Sequence, residues 1–179
     1  TKDKILIGEL ALDGRLRPIH GSLNIAELAS RLGKKFILLP KENANEASVI
    51  KDVQIIPLES LGEAIEFLED KKEILPFEFS RNEKVVASVP DFSEIKGQHQ
   101  AKRAALIAAA GGHNLLFTGP PGSGKSLLAQ ALSGILPELA DQEAIDITKI
   151  YSAAGLSPGT LVTTRPFRAP HQTASLVSI

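Results

Sequence analysis

The 179-residue sequence contains no cysteine, no methionine and no tryptophan. Without cysteine it can form neither a disulfide nor a thiolate metal site, which fits a reducing compartment, and the protein is expected to be cytoplasmic. Neither sign of charge dominates: 20 basic against 21 acidic residues leave a net charge of −1. Nothing in that balance draws nucleic acid globally, so any such contact must come from a local patch or from parts outside this stretch. No apolar run is long enough to span a bilayer, and the N-terminus lacks the apolar core of a signal peptide, so no membrane partner is expected. Internal repeats and low-complexity tracts are missing too. The remaining composition, 43% hydrophobic and 23% charged, is that of an ordinary globular protein of one to two domains. The chain begins at Thr1 and stops in mid-pattern at Ile179, so it reads as an excised piece of a longer protein.

What the sequence does contain is Gly119-Pro120-Pro121-Gly122-Ser123-Gly124-Lys125-Ser126, a match to G-x-x-x-x-G-K-[ST] at every fixed position. The apolar run Asn114–Thr118 precedes it as an expected strand, and the stretch from Leu127 to Leu132 follows as an expected helix. Gly122 and Gly124 permit backbone conformations that a Cβ forbids, so successive N–H groups can turn inward around phosphates. The opening helix adds the positive end of its dipole. Lys125 is the candidate for the β/γ-phosphates and the Ser126 hydroxyl for Mg²⁺, with Leu127 completing the nucleotide-binding stretch. ATP and Mg²⁺ are therefore the expected ligands.

Residues 1–69 alternate strand and helix signals. Ile5–Leu10 reads as a strand, Asp13-Gly14 as a turn, and Arg15–Ile19 as the returning arm of a hairpin. A helix is expected over 25–32 with Gly33 as its stop, then a doubly covered strand at Phe36–Pro40. A short helix around 44–47, a strand at 53–57 and a helix capped by Ser60 with Glu63 complete an α/β pattern whose last elements resemble one crossover unit. The stretches IGELALDGRLRPIHG and LLPKENANEA resemble the C-terminal half of a Lon-protease-type domain. In that family a catalytic lysine follows the turn that here reads Pro18-Ile19-His20-Gly21. In this sequence that position falls on Leu23 or Asn24, neither of which can be a general base. Ser22 and His20 read as a turn serine and a loop histidine. The module is expected to be non-proteolytic.

Residues 70–90 read as a linker, opened by the mixed charge run Asp70–Glu73. Pro76 excludes a helix interior for 75–79, leaving Phe77 and Phe79 as anchors or an edge strand, and 84–90 is too short to assign. Residues 91–179 form the second module. An Ile95-Lys96-Gly97-Gln98 element leads into an alanine-rich helix over 101–110, closed by Gly111-Gly112. An I-x-G-Q element at that place resembles the start of AAA+ ATPase modules, which implies that Ile95 and Gly97 lie in the adenine pocket; an ordinary helix-entry turn is the other reading. Lys102 and Arg103 read as exposed helix charges. A helix is expected over 146–154, ending at Gly155. Arg165 and Arg168 are candidates for phosphates of nucleic acid or of ATP on a neighbouring subunit, or are ordinary flanking arginines. His171 has no second histidine or carboxylate at ligand spacing.

Taken together, GHNLLFTGPPGSGKS and RPFRAPH behind a Lon-like module resemble the magnesium-chelatase-like AAA+ proteins of the ComM/YifB type across essentially the whole chain. Gln172 stands where that family usually has a second histidine. The resemblance implies a homo-hexameric, DNA-associated ATPase, with branch migration during natural transformation as the activity of its best-known members. The implied fold is the C-terminal half of a Lon-like α/β domain followed by the start of a P-loop NTPase parallel αβα sandwich. No strand ending in Asp-Glu follows residue 126, and a trans arginine finger is not evident, so the piece is expected to bind nucleotide without turning it over. A magnesium chelatase motor subunit and a nucleotide-binding scaffold without turnover are the other readings.

Overall fold

The computed structural model describes residues 2–80, 89–171 and 173. The chain forms two compact units, one of residues 1–83 with 140–162 and one of residues 84–139 with 163–179. Residues 81–88 of the linker segment, and Gln172, lie outside the described residues.

The first unit is built on three parallel strands in the order β1 (Lys4–Leu6), β4 (Phe36–Pro40), β5 (Gln54–Leu58). Between β1 and β4 come a small antiparallel pair, β2 (Glu9–Leu10) with β3 (Leu16–Arg17), and helix α1 (Ser22–Arg31). Helix α2 (Lys41–Ala47) crosses from β4 to β5, and α3 (Leu61–Leu68) follows. Successive side chains of a strand face opposite ways. On β4, Ile37 and Leu39 therefore pack with Ala26 and Ala29 of α1 and Ala44 and Ala47 of α2. Leu38, facing the other way, packs with Ile56, Leu58 and Ala64 of α3. That double cover is why the 36–40 run is continuously apolar. Ser60 caps α3 as the sequence predicts, its Oγ accepting the Glu63 N–H at 3.3 Å.

One strand expectation in this unit is corrected. The run 5–10 is not one strand, because its halves find different partners: β1 runs parallel to β4, while β2 pairs with β3. Of the two readings of residues 75–79, the structure shows an anchor at Phe77 and not an edge strand. A single ladder-type bond, Phe77 N–H to the Ile55 carbonyl at 2.7 Å, ties them to β5 while the Phe77 ring joins the core.

In the second unit α4 (His99–Gly111) and α5 (Lys125–Ile135) are joined by an irregular stretch. The expected strand over 114–118 does not form, and Leu116 is 84% exposed. A strand is stable only against a hydrogen-bonded neighbour, and among the described residues of this unit no strand supplies one. The parallel sheet of the structure lies in the first unit, not behind the glycine-rich loop. A small core joins Ile95 to Leu128 and Ala131 of α5, with Phe92, Ala101 and Phe117 around it.

Helix α6 (Asp141–Ala153) follows α5 in sequence but clusters with the first unit, whereas the sequence division at 70–90 groups it with the second module. Asn24 Nδ2 donates to the Lys149 carbonyl at 3.1 Å, the Gly21 N–H to the Ser152 carbonyl at 3.1 Å, and Lys149 Nζ meets Glu27 Oε2 at 2.6 Å. The hydrogen bond from Lys149, reinforced by the nearby charges of Lys149 and Arg31, holds the Glu27 carboxyl below its ordinary value of 4.5, against an opposing desolvation. A depressed carboxylate contributes stability above its unfolded pKa and loses it as pH falls through the folded one. Glu27→Gln should therefore unfold earlier in urea at neutral pH, and the gap from the parent should close as the pH drops below 4.5. A gap that persisted undiminished in acid would show that the charge plays no part.

Candidate phosphate-binding loop

Gly122 (φ 78°) and Gly124 (φ 85°) both sit in the left-handed region, where a Cβ is strained. Gly124 is the N-cap of α5, so the chain turns and Lys125 becomes the first helical residue. The four N–H groups at a helix start have no intrahelical acceptor, and here they open at the end of a short, mostly exposed loop. Lys125 Nζ folds back over that loop, donating to the carbonyls of Gly119 at 2.9 Å and Pro120 at 2.7 Å and to Ser123 Oγ at 3.3 Å. An ammonium held by two peptide carbonyls is only modestly stabilised, because each replaces a water of similar strength. An anion entering the loop would offer it a charge-assisted bond instead. Ser126 is exposed in the first turn of α5, next to Lys125. The loop thus has the backbone turn, the cation and the hydroxyl that a magnesium-bound polyphosphate requires.

The I-x-G-Q element, just before α4, meets α5 through Ile95. Ile95 is 6% exposed and packs on Leu128 and Ala131, while its carbonyl accepts a hydrogen bond from Lys102 Nζ. Lys102 is therefore a tether of this element rather than only an exposed charge. Gly97 follows at φ 67°. Gln98, which the sequence reading left without a role, donates from Nε2 to the Ser123 carbonyl of the loop at 3.3 Å.

Arg165 is elsewhere. Its Nε donates to the Pro137 carbonyl at 2.7 Å, beyond the C-terminal end of α5. At a helical rise of about 1.5 Å per residue, the length of α5 places that point roughly 16 Å from Lys125. Arg165 thus does not join this chain's own loop. His171 Nδ1 lies 2.7 Å from Thr173 Oγ1. Among the described residues, no three histidine or acidic side chains come together in a metal-binding group.

Sequence reasoning also missed a polar centre in the first unit. Glu46 of α2 is 4% exposed; its Oε1 accepts from Ser22 Oγ at 2.8 Å and the Leu23 N–H at 3.3 Å, and from the Ser152 hydroxyl, while Oε2 accepts from Ser157. The only available signal was the spacing of Asn43, Glu46 and Ala47 on one helical face. Of the two positions where the Lon-type lysine would fall, Leu23 is core and Asn24 links α1 to α6.

These features define a mixed α/β protein carrying a glycine-rich loop of the P-loop pattern at a helix N-terminus. Residues 91–179 match the family described as magnesium chelatase, subunit ChlI, and residues 1–43 match that described as subunit ChlI of Mg-chelatase. The competence protein ComM of Haemophilus influenzae is 41% identical over 181 residues, covering 97% of this chain and 35% of that protein. An uncharacterized protein of Mycobacterium tuberculosis is 38% identical over 180 residues, covering 99% of this chain and 36% of its own length. The uncharacterized protein YifB of Escherichia coli is 38% identical over 177 residues, covering 97% of this chain and 34% of its own length. The chain belongs to the magnesium-chelatase-like family, of the ComM and YifB type. It spans about a third of the length of the curated relatives it matches. Among the described residues no helix is long and apolar enough to cross a membrane.

Proposed function

We propose that this chain is the ATP-binding module of a ComM-type AAA+ motor that acts on DNA. The observation that carries the reading is the delivery of Lys125 by two left-handed glycines to the first turn of α5, its ammonium held, among the described residues, by exchangeable loop contacts. In this role residues 119–127 hold the triphosphate: the loop N–H groups and Lys125 bind its oxygens, and the Ser126 hydroxyl ligates Mg²⁺. When bound, the ion would supply neutralisation of the phosphate charge. Ile95 and Gly97 belong to the base pocket, supported by the packing of Ile95 on the same helix. Arg165 and Arg168 then serve a phosphate outside this chain's own loop, on DNA or on a neighbouring subunit of a hexamer. Residues 1–69 are a Lon-like module without proteolytic chemistry: the Ser22 hydroxyl is buried and donates to Glu46, a carboxylate rather than an activating imidazole or amine. Residues 91–179 are the AAA+ part, and the protein works in the cytoplasm.

The test is ATP hydrolysis by the full-length protein with and without four-way-junction DNA. Stimulation by the junction that disappears at high salt supports the reading, since phosphate contacts weaken as counterions compete. Turnover indifferent to DNA but stimulated by a porphyrin substrate would favour a chelatase motor, in keeping with the description of the matched family. Nucleotide binding with no turnover under any condition would leave a scaffold.

A further inference from the structure

Gln98 sits at φ 52°, ψ 37°, a left-handed conformation that costs a residue with a Cβ about 1 kcal/mol or more. It stands at the N-cap of α4, where a side-chain oxygen ordinarily accepts a helix N–H, yet it makes no capping bond. Instead its amide reaches out of the helix to the Ser123 carbonyl of the loop, at 3.3 Å. Its own place is fixed from both sides. Ile95, three residues earlier, is packed on α5, and Lys102, four residues later, donates to the Ile95 carbonyl. A strained, non-capping residue on a rigid platform, aimed at one carbonyl of the glycine-rich loop, needs a reason.

Peptide planarity supplies one. The Ser123 carbonyl and the Gly124 N–H belong to the same peptide, and in a trans peptide they point in opposite directions. Holding the carbonyl toward Gln98 turns the Gly124 N–H away from α4. We propose that Gln98 is a positioning residue that orients the 123–124 peptide so that the Gly124 N–H points into the phosphate cradle. Left unheld, this peptide can flip by counter-rotation of ψ at Ser123 and φ at Gly124, and Gly124, lacking a Cβ, tolerates either sign of φ. Its carbonyl would then face the anion, and an acceptor would stand where a donor is required. The inference rests on the nucleotide reading of the loop and deepens it: Gln98 touches no phosphate and acts through the backbone.

The test uses the full-length protein, with magnesium-ATP and inorganic tripolyphosphate as probes in titration calorimetry, and thermal melting as the second readout. Gln98→Gly removes the amide and also relieves the left-handed strain. Polyphosphate affinity should therefore fall about five- to tenfold, the worth of one net hydrogen bond, while the melting temperature holds or rises. Gln98→Glu keeps the size but sets an acceptor against a carbonyl, so its affinity should fall further than that of Gln98→Ala. In the bound protein the Gly124 amide proton should shift less in Gln98→Gly than in the parent. Equal affinity for both probes in parent and Gln98→Gly, with Lys125→Ala still impaired, overturns the inference alone. Binding that is absent in the parent, or indifferent to Lys125, overturns the nucleotide reading beneath it. A merely structural role for Gln98 predicts the reverse pattern, a lower melting temperature with unchanged affinity, and would overturn the inference as well.

Discussion

Lys125→Ala should weaken binding of magnesium-ATP by about a hundredfold, the loss expected when a charged donor to a phosphate is removed. The fold should barely notice. Among the described residues Nζ bonds to the Gly119 and Pro120 carbonyls and the Ser123 hydroxyl, in a loop whose carbonyls water can solvate once the ammonium is gone. Surface contacts of that kind typically contribute within about 0.5 kcal/mol to stability. The pairing of a large binding loss with an unchanged melting curve is what marks a ligand-directed lysine. Lys125→Arg should recover only part of the affinity, since the guanidinium is a flat fork rather than a compact ammonium that fits among loop amides. Calorimetric titration of the variants beside circular dichroism melts would decide. If Lys125→Ala bound magnesium-ATP as the parent does, the loop would be an ordinary turn before a helix, and the motor reading would lose its main support.

The second large effect falls on stability. Glu46→Ala should destabilise the first unit by about 3–5 kcal/mol, near the upper end for single substitutions. The lost carboxylate is the shared acceptor for hydroxyls of Ser22, Ser152 and Ser157 and for the Leu23 N–H. Ser22 and Ser152 are at most 2% exposed, so water does not readily replace the acceptor. Each stranded buried donor costs about 1–3 kcal/mol, and rotation of the hydroxyls toward other acceptors keeps the sum below the simple total. Glu46→Gln should cost only about 1 kcal/mol, because its oxygen retains the Oε1 donors and the Ser157 hydroxyl can turn to accept from the new amide. Urea midpoints rank the three proteins, and amide exchange locates the damage. The α6 amides should lose protection first, since Ser152 lies in that helix and Ser157 just beyond it. Equal midpoints for Glu46→Ala and the parent would show that the centre holds nothing together.

Much of the molecule could be read from the chain because the signals involved are short-ranged. The eight residues from Gly119 to Ser126 contain their own turn, cation and hydroxyl, and the helix they open needs no distant partner to be recognised. The same holds for the Ser60 cap, the continuous apolar run at 36–40, and the crossover from β4 through α2 to β5. In each of these the sequence signal lies within a few residues, although β4 itself is held by its distant neighbours β1 and β5. The strand expected at 114–118 failed for the complementary reason: apolar residues favour an extended chain, but a strand exists only where a second strand accepts its hydrogen bonds.

What the sequence by itself determined was therefore the mixed α/β character, the glycine-rich loop and the helix that presents Lys125. Only the tertiary structure decided that α6 joins the unit begun more than a hundred residues earlier, that Glu46 gathers hydroxyls from 106 and 111 positions away, and that Gln98 reaches a carbonyl 25 positions on. A serine or a glutamine looks the same in sequence whether it faces solvent or a buried partner. Which of the two it meets is settled by how the chain closes its long loops, and no local pattern encodes that closure.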